Sequence, residues 1–246
     1  YTDEQGRRAG EYLKSFHYIA CREKSLADFV NKKTSKRASI VLDPVFLQPL
    51  NFYERLCIQP EEKNYVLIYA VMEKAGGLVE EAMRYAKERN LPVVDISDDA
   101  TILYQSPNGE RIKKYGIGIE EWLGYMQNAS CIFTNSFHCC CFSIIFNKQF
   151  FVGKRNGDKV DFVLHLFGLN NCRIKRNMNY NQKDIDYKVI NSLKDAYVNQ
   201  SRKYILEAIK RTEQVQKKKS SIIGKLLLKR KLVGIENFEN AKSFKN

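Results

Sequence analysis

From residue 65 onward, short apolar runs alternate with longer stretches whose apolar positions recur at helical spacing. The run "NYVLIYAVM" (64–72) is continuous and rich in β-branched and aromatic residues, which predicts a buried strand. "GLVEEAMRYAKERN" (77–90) follows, with Leu78, Ala82, Tyr85 and Ala86 on one helical face. "LPVVDIS" (91–97) reads as the next strand, and Pro92 suits only its first positions. "GIEEWLGYMQNAS" (118–130) carries Trp122, Leu123 and Met126 at helical spacing. "CIFTN" (131–135) is strand-like, "FHCCCFSIIFN" (137–147) a compact buried helix, and "QFFVG" (149–153) another strand. Strands alternating with crossover helices predict an α/β fold with a doubly wound parallel sheet.

Upstream, "FHYIACREKSLADFVNK" (16–32) reads as strand, charged turn and helix. "ASIVLDPVFL" (38–47) is a strand ending in Asp43-Pro44. These units read as the close of an N-terminal α/β domain that is only partial here, over residues 1–45. Residues 44–62, with Pro44, Pro49 and Pro60, read as a linker into a Rossmann-like domain spanning 46–172. Residues 173–246 are expected to form a helical extension, and the start at Tyr1 suggests processing or a fragment of a longer chain.

The net charge of +13 favours anionic company, but much of the excess sits in "KKKSSIIGKLLLKRK" (217–231). A nucleic-acid binder that is basic throughout is therefore disfavoured. As a helix, 217–231 would set Ile222, Ile223, Leu226, Leu227 and Leu228 against a lysine-rich face, the pattern of peripheral contact with an anionic membrane. The same pattern suits docking on its own domain. The seven cysteines include no CxxC pair, which argues against a disulfide framework or a zinc site and for a cytoplasmic setting. No stretch reaches the about 18 apolar residues of a membrane span.

In open α/β sheets, ligands gather where strands end and helices begin, because unpaired amides and the helix dipole face outward there. If Asn135 or Ser136 caps the helix at 137–147, His138 falls in its first turn. The positive dipole end disfavours imidazolium, which would leave a neutral ring able to exchange a proton beside an anionic substrate. A lone histidine there also suits packing or capping. Cys139, Cys140 and Cys141 point in different directions on a helix and suit a core role better than a metal site.

"TNSFHCCCFSIIFNKQF" (134–150) resembles the Thr-Asn/Asp-x-x-His-Gly segment, apolar helix and Lys-Pro-Phe of the polysaccharide pyruvyl transferase family. Other pieces agree in order. "CREKS" looks like its Arg-Glu/Asp-x-x-Ser turn, "VLDPVFL" its Leu-Asp-Pro strand end, "EEWLGYMQNASCIFTNS" the helix before the histidine strand, and "HLFGL" its Leu-Gly-Leu. The likeness covers about residues 10–172. It implies two facing α/β domains of GT-B-like architecture, with phosphoenolpyruvate as donor and a sugar of a surface polysaccharide, or its lipid-linked precursor, as acceptor. The product would be a pyruvate ketal. No metal or cofactor is implied.

On this resemblance His138 is the candidate for acid/base work or phosphate contact, and Arg22 for a carboxylate or phosphate. Glu23 would orient Arg22 or serve as a second acid/base group. Asn135, Ser136, Arg155 and Asn156 are candidates for substrate contact at strand ends, while Asp43 suits a turn former better than a catalyst. Three departures stand out: Ser136 where many members have arginine, Cys139 where glycine is usual, and Gln149 where proline is usual. A cysteine at 139 would narrow the space above the backbone. A nucleotide-sugar glycosyltransferase of GT-B type and an inactive glycan- or anion-binding relative are the alternatives. Lipid-linked acceptors would place the protein at the inner face of a cytoplasmic membrane.

Overall fold

The computed structural model describes residues 2–71, 77–97, 111–154, 157–175, 178–181 and 184–242, with side chains through 216. The chain opens with α1 (Asp3–Leu13), whose Thr2 and Gln5 form a reciprocal capping box. Two short strands, β1 (Ala20–Cys21) and β2 (Ser39–Ile40), pair in parallel, with α2 (Lys24–Lys33) between them in sequence. The periodicity argument misses α1 for a physical reason: its buried residues are Gly6 and Gly10, so no apolar stripe marks the packed face.

After β2 the chain makes a 3₁₀ turn at Pro44–Leu47 and a short helix, α3 (Leu50–Glu54). Residues 44–62 are therefore more than a linker. Phe46 and Tyr53 are buried in the main core, and the Tyr53 hydroxyl donates to the Val45 carbonyl at 2.8 Å. Ile58 donates its N–H to the Glu120 carbonyl at 3.0 Å.

The larger unit follows as β3 (Val66–Tyr69), α4 (Leu78–Glu88), β4 (Val93–Asp95), β5 (Arg111–Lys113), α5 (Ile119–Asn128), β6 (Cys131–Thr134), α6 (Phe137–Ile145), β7 (Phe150–Val152) and α7 (Lys159–Leu166). The five strands pair in parallel in the order β5-β4-β3-β6-β7. The buried residues of α4 are Leu78, Ala82, Tyr85 and Ala86, the face its spacing predicts. β5 escapes the sequence reading because Arg111-Ile112-Lys113 is an edge strand whose central apolar residue is exposed.

Side chains alternate across the sheet as a strand period of two requires. Val66, Ile68, Cys131, Phe133 and Phe151 pack with α4 on one face. Leu67, Val94, Ile132, Phe150 and Val152 pack with α5, α6 and α7 on the other. Each large side chain fully buried this way stabilises the fold by roughly 1.5–3 kcal/mol. Helices on both faces of a parallel sheet make the fold doubly wound.

Chain order reverses at β3. It leads through α4 to β4 on one side, whereas β6, on the other side, is reached later through α5. The carboxyl ends of β3 and β6 thus form the topological switch point, where such sheets bind ligands.

The stretch beyond 172 is largely helical, as expected, and it packs back on the rest of the chain. Arg173 bridges Val152 of β7, and Tyr180 is buried with α4. The final helix, α8 (Tyr187–Lys242), buries Ile190 and Val198 in the main core. It then returns to the N-terminal unit: Ser201 Oγ accepts the Leu42 N–H at 2.9 Å, and the Tyr204 hydroxyl donates to the Ile19 carbonyl at 3.0 Å.

Candidate functional site

β6 delivers the chain to the switch point and α6 carries it away. Thr134 Oγ donates to the Tyr69 carbonyl at 2.6 Å and accepts the Ser136 N–H at 3.0 Å, fixing the turn between strand and helix. Asn135 Oδ1 accepts the Val71 N–H at 2.8 Å, and its Nδ2 donates to the Val71 carbonyl at 3.1 Å. Ser136 caps α6 by accepting the Cys139 N–H at 3.5 Å. Both side chains are buried and serve the backbone that carries His138, so their part in a site is to hold the turn.

From Cys131 to Phe146 every residue is buried except His138. An apolar helix that hides everything else presents this one imidazole, 55% exposed at its side chain, to solvent. Its ring lies edge-on to Phe137, with centroids 5.3 Å apart. The packing role open to a lone histidine does not describe this placement.

The ends of β1 and β2 face that ring. Arg22, one residue past β1, donates from Nη1 to Asp43 Oδ2, and its guanidinium lies over the Phe137 ring at 4.8 Å. His138 Nε2 lies 3.8 Å from the same Asp43 oxygen. Asp43 is 5% exposed, and its other oxygen accepts the Val45 N–H at 3.2 Å. It is the turn former that its Asp-Pro setting suggests, and it also joins Arg22 to His138. That second role went unseen because nothing in a sequence shows that positions 43 and 138 meet.

Glu23 is buried, with Oε2 3.5 Å from Arg22 Nε and no hydrogen-bond partner for that oxygen among the described residues. This geometry suits orientation of the guanidinium. Burial works against the charge of Arg22, but Asp43, and then Glu23, outweigh it and hold its pKa above the ordinary arginine value. The group stays cationic. Arg155 and Asn156 lie outside the described residues.

Cys139, Cys140 and Cys141 are fully buried. Burial pushes the Cys139 thiol up to about 12 and the other two well above the ordinary value, as befits core hydrophobes. Cys139 Sγ sits 3.3 Å from Met126 Sδ, so its side chain is directed into the core. The expected narrowing above the helix terminus is not what this side chain does.

A second charged cluster at the same sheet edge was missed by sequence reasoning. Asp95 is fully buried, 3.4 Å from Arg111 Nη1 and 3.2 Å from Lys113 Nζ, and accepts the Ser97 N–H at 2.9 Å. A single aspartate in "PVVDIS" gives no hint of partners that lie 16 and 18 residues on.

Comparison with known proteins adds to this geometry. The polysaccharide pyruvyl transferase family matches residues 2–152, more than half of the chain. The chain belongs to this family. The matched span of this pyruvyl transferase family member holds Arg22, Glu23, Asp43 and His138, so the whole cluster falls within it. Among solved structures, UDP-GlcNAc 2-epimerase from Methanocaldococcus jannaschii is similar at 12% sequence identity and a TM-score of 0.46. The likeness covers 74% of this chain and 55% of that one, so the chain spans about half the length of that structure. No curated protein matches. Among the described residues, no helix is long and apolar enough to cross a membrane.

Proposed function

We propose that the chain forms the site for transfer of the pyruvyl unit of phosphoenolpyruvate onto two hydroxyls of a surface-polysaccharide sugar or its lipid-linked precursor. The observation that carries this reading is the exposed imidazole of His138, 3.8 Å from the carboxylate oxygen that Arg22 holds. Membership of the family supplies the reaction class.

The chemistry needs a proton for C3 of the enol, a base for the attacking hydroxyl, and a cation for carboxylate and phosphate. His138 delivers the proton to C3. One sugar oxygen then bonds to C2, the bond from C2 to the phosphate oxygen breaks, and a second sugar oxygen closes the ketal. Of the two hydroxyl protons, one replaces the proton given to C3 and the other leaves with phosphate. Asp43 steadies the imidazolium. The same carboxylate fixes Arg22 beside the ring, and the exposed remainder of the guanidinium is left to meet an anionic group of the donor. Glu23, 3.5 Å from Arg22 Nε, orients the guanidinium or acts as a second acid/base. The facing partner domain, the GT-B-like arrangement and contact of 217–231 with an anionic cytoplasmic membrane face belong to the same proposal.

The test is phosphate release from phosphoenolpyruvate with a panel of glycans and no nucleotide sugar. His138→Ala is expected to slow release by about 10²–10⁴-fold. Release that His138→Ala leaves unchanged, or that requires a nucleotide sugar, would overturn the reading.

A further inference from the structure

Beside the anion site lies a cavity of about 300 Å³, lined by Tyr69, Ile96, Lys114, Tyr115, Trp122 and the stretch from Gly116 to Ile119. Its place in the fold is specific. Tyr69 ends β3, Ile96 follows β4, and Gly118 opens α5. Tyr69 is the register partner of Thr134, the residue that begins the turn to His138. The cavity and the imidazole therefore flank one pair of strand ends.

The lining chemistry differs from that of the Arg22–Asp43–His138 cluster. Tyr69 and Trp122 meet with centroids 5.5 Å apart at 74°, making an aromatic corner, and Tyr115, 62% exposed, stands at the rim. Among the described residues the one charged lining residue, Lys114, is paired with Glu62 at 2.5 Å, and Glu62 also accepts from the Tyr125 hydroxyl at 3.2 Å. Its charge is already compensated. At the start of α5 the carboxylates of Glu121 and Glu120 fold back toward Gly118, so acceptor oxygens stand at that helix mouth. Aromatic faces, acceptor oxygens and a compensated lysine suit a ring with apolar C–H faces and hydroxyl edges. A free anion gains little there.

We propose that this cavity seats a sugar ring of the acceptor, an uncharged polyhydroxy ligand, next to the donor site. The inference rests on the reading under Proposed function for its pairing with phosphoenolpyruvate, but the ligand class follows from the lining itself.

Trp122 is the only tryptophan in the chain and it lines the cavity, so its emission responds to occupancy there. The full chain would be titrated with methyl glycosides of common hexoses and N-acetylhexosamines, with uridine alongside, and phosphoenolpyruvate binding followed separately by calorimetry. At least one glycoside is expected to change Trp122 emission saturably, and Tyr115→Ala, at an exposed rim position, to weaken it about tenfold. A glycoside response without phosphoenolpyruvate binding would support the cavity and sink the transfer reading. Phosphoenolpyruvate binding with no glycoside response would overturn the cavity and leave the transfer reading standing. A response to uridine alone, or a glycoside response that Tyr115→Ala does not weaken, would also overturn it.

Discussion

Replacing Asp43 by asparagine keeps the shape of the side chain and removes its charge. The oxygen that accepts the Val45 N–H survives, so the turn at Pro44 keeps its cap. What disappears is the oxygen held by Arg22, and an amide now turns N–H donors toward a guanidinium. A hydrogen bond to a charged group is worth about 1.5–3 kcal/mol, and breaking a fully buried pair costs roughly 3–5 kcal/mol. Arg22 is 32% exposed, so water recovers part of that loss, and Glu23 still lies 3.5 Å away. The expected loss is about 1–2 kcal/mol, read as a fall in Tm of about 2–8 °C for a chain of this size. Asp43→Ala also removes the Val45 contact and is expected to cost about 1 kcal/mol more. Urea unfolding of Asp43→Asn, Arg22→Met and the double variant would give the coupling directly, expected at about 1–2 kcal/mol. A single variant within about 0.3 kcal/mol of the parent, with no coupling, would refute the view that this carboxylate holds the guanidinium.

Two further outcomes follow from packing and charge. A methyl group added by Gly124→Ala would fall 1.7 Å from the Ile58 carbonyl oxygen, so the 56–60 segment must move off α5 and lose the bond from Ile58 to Glu120. We expect a loss of about 2–4 kcal/mol by thermal melting, and an unchanged Tm would contradict the close approach. Burial pushes the Glu62 carboxyl up, but its bonds from Lys114 and Tyr125 outweigh this and hold it below its ordinary value of 4.5. Its stabilisation is therefore present above pH 4.5 and lost as pH falls through the lower folded value. Stability against pH for the parent and Glu62→Gln should differ above 4.5 and converge below it; parallel curves across that window would count against the pairing.

Much of the fold is legible in the chain because its strands are continuous apolar runs and α4 buries the stripe that its spacing marks. Where packing uses glycine or an exposed edge, as in α1 and β5, that signal vanishes. The site divides along the same line. His138 is visible as a polar residue at the mouth of an apolar helix, and Arg22 as a cation after a strand. Their meeting through Asp43 depends on two units folding against each other, which local pattern does not encode. Cys139 illustrates the reverse error: read by position, its side chain crowds the ligand, whereas helix geometry turns it toward Met126.

The return of α8 to the N-terminal unit has a bearing on how this site is inherited. Ser201 grips the amide just before Asp43 from 159 positions away, beyond the reach of the family match, which stops at 152. A truncation ahead of Ser201 would keep every residue of the motif yet release the anchor of its central carboxylate. The signature by which such chains are recognised is thus shorter than the stretch of polypeptide needed to hold it in register.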